Sequence, residues 1–123
     1  MMANETTMGM PVETEEEREA REMISFGIIA SAGQARSLAF ESLKAARSGD
    51  YATAEKLLND SREAALEAHH QQTKLLSKEA AGEHTPVDVM LVHAQDHLMT
   101  AMLAQELIGE LVNLYKVKED KGE

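Results

Sequence analysis

The sequence contains no cysteine, which excludes disulfide staples, thiolate nucleophiles and cysteine-ligated zinc or iron-sulfur sites. Aromatic residues make up 3% of the chain, tryptophan is absent and proline occurs only twice. Strands favour aromatic side chains, so this composition argues against a sandwich or barrel and points to helices. Basic residues are also few: 12 Lys and Arg stand against 22 Asp and Glu, a net charge of -10. Clustered cations are what bind a phosphate backbone, and this chain would repel one. Nucleic acid is therefore not expected as a partner. No stretch approaches the ~18 consecutive apolar residues of a spanning helix. The segment Met1 to Pro11 lacks the basic and apolar regions of a signal peptide. These absences predict a soluble, cytoplasmic protein. What is present is 43% hydrophobic residues over 123 positions, enough for one packed core and little more.

Local signals divide the chain into three helices. Four of the eight methionines fall in the first ten residues, which have no apolar periodicity, and residues 1–13 read as a mobile N-terminal tail. Thr14 and Glu17 form a capping box, with Glu15 and Glu16 placed where the helix dipole favours negative charge. From there Ile24, Ile28, Ala32, Ala35, Ala39, Leu43 and Ala46 recur at spacings of three and four, the pattern of one buried helical face. Gly49 fits the left-handed position after a helix, Asp50 the next N-cap, and Gly82 the end of the second helix. Thr85, Pro86 and Asp88 resemble a third capping box with proline at the first helical position. The predicted helices span about 14–48, 51–81 and 86–117, and 119–123 read as a C-terminal tail. Short connections make neighbours antiparallel, so the expected fold is an all-α, up-down-up three-helix bundle. The acidic run from Glu13 to Glu22, with Arg18 and Arg21 interspersed, reads as a solvated helix face.

The third helix carries two apolar stripes. Val87, Leu91, Ala94, Leu98, Ala101, Gln105, Ile108 and Val112 lie on one side at about 100° per residue. Val89, Val92, Asp96, Met99, Leu103, Leu107 and Leu114 lie on the opposite side. A lone bundle buries only one stripe, so the second predicts self-association through a coiled-coil-like seam of third helices. Spacing does not choose between dimer and trimer. Asp96 sits in the middle of that seam, where an uncompensated carboxylate costs several kcal/mol. It serves either as a register-setting polar residue or, repeated by symmetry, as an oxygen ligand for a hard cation. His93 and His97, four residues apart, share the helix face beside the seam. With Asp96 they also define an alternative reading, an oligomeric helical metal-binding protein with imidazole ligands. His69, His70 and His84 carry no such signal.

The stretch Val92-His93-Ala94-Gln95-Asp96-His97-Leu98-Met99-Thr100 resembles the signature of the lactose/cellobiose family of IIA phosphocarriers of the bacterial phosphoenolpyruvate-dependent sugar phosphotransferase system. Ala32-Gly33-Gln34-Ala35-Arg36-Ser37, Gly49-Asp50, Ala68-His69 and Gln72-Thr73-Lys74-Leu75-Leu76 support it in the right order, over residues 16–116. Ala94 is more like the chitobiose/cellobiose branch, where the lactose type tends to have glycine. The resemblance implies a homotrimer in which His93 accepts a phosphoryl group from the carrier HPr. It further implies transfer to the cognate IIB component during uptake of a β-linked disaccharide of the chitobiose, cellobiose or lactose class, with the membrane reached only through the IIC permease. It also implies that Asp96 from three subunits meets at the axis around one divalent cation, with Mg2+ the candidate. The chemistry is consistent: neutral imidazole is a competent nucleophile near pH 7, and the chain has no nucleotide-binding glycine loop. Because the helix dipole fades within the first turn, other donors are needed around His93. His97 and, across a subunit cleft, Gln95 are expected to supply them. Gly33, inside the first helix at a cost of about 1 kcal/mol relative to alanine, is read as a packing residue.

Overall fold

The computed structural model describes residues 12–122. Thr14 opens α1 (Glu15–Arg47) as predicted: its hydroxyl accepts from the Glu17 N–H, and the Glu17 carboxylate accepts from the Thr14 N–H. Gly49 adopts a φ of 88°, which a side chain would strain, and lets the chain reverse. Asp50 then caps α2 (Tyr51–Ala80) through the Thr53 N–H. Gly82, at a φ of 90°, ends that helix.

The third helix, α3 (Val89–Gly122), departs from expectation at both ends. It begins at Val89 rather than Pro86, because Asp88 rather than Thr85 is the cap: its carboxylate accepts from the Leu91 N–H at 2.9 Å, and its carbonyl from the Val92 N–H at 3.1 Å. The Asp88 carboxylate has a tertiary partner as well. Arg21 of α1 donates to the same carboxylate at 2.5 Å and fixes it at the helix entrance. Val87, expected on the buried stripe, precedes the helix and is 73% exposed. At the other end, residues 119–122 are helical rather than a tail, since no proline interrupts them and no glycine comes before Gly122. Lys116 of α3 is also tied to Glu55 of α2.

The N-terminal tail reading falls largely on residues 1–11, outside the described residues. Within them it fails at Glu13, whose carboxylate accepts from Arg21 Nε and Nη2 at 2.8 and 3.0 Å. Arg21, expected on a solvated face, thus bridges Glu13 and Asp88 and joins the start of α1 to that of α3.

Successive helices run antiparallel, so α1 and α3 are parallel, and α1 lies in the middle, packed along both α2 and α3, while α2 and α3 meet only lightly. The predicted α1 stripe is inside: Ile28, Ala32, Ala35, Ala39 and Ala46 are buried, with Ile24 and Leu43 packed against them. Alanine dominates the interior, and two of its three buried serines donate to carbonyls of a neighbouring helix, while the Ser25 hydroxyl has no partner among the described residues. Ser42 Oγ donates to the Ala54 carbonyl and Ser61 Oγ to the Ala35 carbonyl, each at 2.6 Å. Gln105 on the inner stripe donates to Ser61 Oγ at 2.8 Å. Such small side chains bring helix axes close and fix their register through hydrogen bonds.

Candidate functional site

The two faces predicted for α3 separate cleanly. Leu91, Ala94, Leu98, Ala101, Ile108 and Val112 are buried against α1 and α2. Val89, Val92, Met99, Leu103, Leu107 and Leu114 are all more than half exposed. Six large apolar side chains on one helix face form a patch that soluble chains normally cover. Asp96 lies among them, exposed, and its carboxylate makes no ion pair or hydrogen bond among the described residues. Only its backbone is engaged: the Thr100 hydroxyl donates to the carbonyls of Asp96 and His97 at 3.0 and 3.1 Å.

His93 and His97 occupy the flank between this patch and the core. His93 is the fifth residue of α3, one turn nearer the helix start than a beginning at Pro86 allows, and it is exposed. His97 is half-buried, and its ring stacks on that of His93, with centroids 5.6 Å apart and planes inclined by 10°. This flank faces α1, where a Cβ built on Gly33 would lie 3.5 Å from His97 Nε2. Seven residues to either side of Gly33, and so about 10 Å along the same helix face, Phe26 and Phe40 are exposed. The Arg36 guanidinium covers the Phe40 ring at 5.4 Å.

Gln95 lies on the other flank of α3. Its amide oxygen accepts from Gln72 Nε2 of α2, and Gln72 also contacts Met99 Sδ at 3.9 Å. The structure therefore brings His93 and His97 together and holds Gln95 of the same chain away from them. Gln72 is not identified from sequence as a site residue, although it opens the stretch Gln72-Thr73-Lys74-Leu75-Leu76 that supports the family resemblance; the structure shows it to be a polar side chain at a buried helix position. The remaining histidines stand apart: His69 and His70 are exposed on α2, and His84 pairs with Glu79.

The arrangement leaves His93 open to solvent rather than enclosing a substrate. His93 lines neither of two grooves in the chain, one of about 630 Å3 at the Arg21 end and one of about 490 Å3 between α2 and α3. Its ring is open on the side away from His97. Among the described residues no three His, Asp or Glu side chains converge as metal ligands, so His93, Asp96 and His97 do not form a chelate within one chain. Nor is any helix among them long and apolar enough to cross a membrane.

Comparison with known proteins agrees with this geometry. The family model described as "PTS system, Lactose/Cellobiose specific IIA subunit" matches residues 23–116. The N,N'-diacetylchitobiose-specific EIIA component of Escherichia coli K12 is 49% identical over 104 residues, covering 85% of this chain and 90% of that one. The crystal structure of the cellobiose-specific enzyme IIA from Bacillus anthracis superposes with a TM-score of 0.78 at 44% identity, over 89% of this chain and 96% of that one. The Escherichia coli chitobiose IIA solved in complex with HPr gives a TM-score of 0.70 at 48% identity, over 80% and 95%. The fold, the exposed histidine on α3 and these matches together place the chain in the lactose/cellobiose-specific IIA family of the phosphotransferase system.

Proposed function

We propose that this chain is a phosphocarrier in which a ring nitrogen of His93 takes a phosphoryl group from phosphohistidine on HPr and delivers it to a IIB component. The observation that carries the reading is the placement of His93: exposed, stacked on His97, and at the edge of the uncovered α3 face. In the accepting step the lone-pair nitrogen of neutral His93 attacks phosphorus as the P–N bond of the donor breaks; the donor ring, protonated on its other nitrogen, leaves as neutral imidazole, and phosphorylated His93 keeps its own N–H and can release that proton to solvent. Nothing but imidazole is required as nucleophile or leaving group. The solved relative bound to HPr supports the donor, and the relatives' chitobiose and cellobiose names support a β-linked disaccharide as the eventual cargo. A carrier of this kind works in the cytoplasm and meets the IIC permease only through IIB.

The uncovered α3 face supports a homotrimer with the third helices at its axis. In that arrangement the α1-side flank of one α3 faces the α2-side flank of the next. His93 then meets a neighbouring subunit's Gln95, which accepts through its oxygen and so turns its amide N–H groups into the donors available to a phosphoryl group. Asp96 from three chains converges, and an unpaired carboxylate inside an apolar seam fits a hard divalent cation such as Mg2+. When bound, the ion would offset two of the three negative charges of the Asp96 carboxylates, and it takes no part in transfer.

Intact mass after incubation with phosphoenolpyruvate, enzyme I and HPr tests the reading. The native chain and His97→Ala should each gain one acid-labile phosphoryl group, and His93→Ala none. A native chain that gains none, or a His93→Ala chain that still gains one, would refute it.

A further inference from the structure

Gly33 has no conformational reason to be glycine. The positive-φ glycines are Gly49 and Gly82, and Gly33 lies within α1, where glycine costs about 1 kcal/mol relative to alanine. The other α1 glycine, Gly27, faces open space. Gly33 does not: its missing Cβ would stand 3.5 Å from Nε2 of His97. His97 is in turn the ring against which His93 stacks.

We infer that Gly33 is a positioning residue for transfer. Having no side chain, it lets the His97 ring lie beside the α1 backbone, and His97 so placed braces the ring of His93. The inference rests on His93 being the phosphoryl acceptor. A methyl group at 3.5 Å is an ordinary van der Waals contact, so alanine fits. Valine does not, because its two γ-carbons occupy both directions open to a helical side chain and its single preferred rotamer leaves no way to turn aside. Helix propensity is no obstacle, since valine is a better helix residue than glycine. The His97 ring must therefore move, and with it the surface that holds His93. A displacement of ~1 Å at a reacting group can lower a rate by about 100-fold.

The test places Gly33→Val and Gly33→Ala in the native chain and in a His97→Ala chain. One readout is the pair of imidazole C–H proton resonances of His93, which feel the ring current of His97 and need no phosphoryl transfer. The other is the initial rate of phosphorylation by phospho-HPr. In the native chain, Gly33→Val should move the His93 resonances toward those of His97→Ala and lower the rate by about tenfold or more. Gly33→Ala, the conservative variant, should keep the stack and the rate. In the His97→Ala chain, where the obstructed ring is gone, Gly33→Val should change neither. Unmoved resonances in the native background would overturn the inference. So would an effect of equal size in both backgrounds, which includes valine disturbing folding or assembly by itself. Failure of the carrier reading is distinct: the native chain would gain no phosphoryl group while its His93 resonances still responded to Gly33→Val.

Discussion

Leu103 lies near the middle of the uncovered α3 face and keeps 55% of its surface in a single chain. Full burial of a leucine side chain contributes about 1.5–3 kcal/mol, so the exposed half is worth about 1 kcal/mol. In the proposed trimer with α3 at its axis three copies would meet, giving about 3 kcal/mol per assembly. Leu103→Ala removes that contribution. At about 1.4 kcal/mol per decade, it weakens the trimer equilibrium constant by roughly 100-fold. Leu103→Glu goes further, because three carboxylates would enter a dry seam where each uncompensated charge costs several kcal/mol. In the single chain the position is on the surface, so either change should alter its stability by no more than about 0.5 kcal/mol. Light scattering across a concentration series, with circular dichroism on the same samples, separates the two effects. The native chain should be trimeric, Leu103→Ala should need higher concentration to assemble, and Leu103→Glu should be monomeric with undiminished helix. A Leu103→Glu chain that stays trimeric would refute the seam, and one that loses its helices would refute the claim that a single chain holds the fold.

Other outcomes follow from the same structure. Asp96→Leu should give a trimer at least as stable as the native one and indifferent to chelators, since it removes three carboxylates and their need for an ion; sedimentation with and without EDTA checks this, and loss of the trimer would make the ion essential. Hydrogen bonding from Arg21 holds the Glu13 carboxyl below the usual carboxylate range, and the Leu91 N–H, then Arg21, does so for Asp88. A depressed native pKa stabilises the fold above the unfolded value and ceases to do so as pH falls through the native one. Urea midpoints should therefore hold near neutral pH and fall below about pH 4, more shallowly in Arg21→Gln; an unchanged acid limb in that variant would rule out the bridge as its source. Leu98→Ala, at a fully buried position, should cost about 2–5 kcal/mol in denaturant unfolding, and a loss under 1 kcal/mol would mean that the core collapses around the gap.

The helices most legible in the sequence are those whose ends are decided locally. The Thr14 capping box and Gly49 act within a few residues of themselves, and both read correctly. The start of α3 did not, although Thr85, Pro86 and Asp88 satisfy a local rule. Its cap, Asp88, is a favoured N-cap residue in its own right and also accepts from Arg21, 67 residues away in the chain, a partner that no local pattern registers. Glu13 was assigned to a tail for the same reason. Within the site, the 3.6-residue period was enough to put His93 and His97 on one face beside the apolar stripe. It could not say that this flank meets α1 at Gly33 while the opposite flank meets α2 at Gln72. Those contacts depend on how one helix slides and turns against another, which is set jointly by the alanine and serine contacts of three helices.

That interior has a consequence for how the protein holds together. Among the described residues, nine of the fifteen buried apolar side chains are alanine, and the larger ones are Ile28, Leu58, Leu91, Leu98, Ile108 and Val112. Alanine lets helices approach closely but removes little oily surface from water, so one chain gains modestly by folding alone. The bulkier residues, Val92, Met99, Leu103, Leu107 and Leu114, sit outside on α3, where they contribute chiefly when another copy arrives. Folding and association then draw on the same side chains. Stability becomes a property of the population, rising with the logarithm of protein concentration as mass action requires. Dilution alone should lower its denaturant midpoint toward that of the single chain.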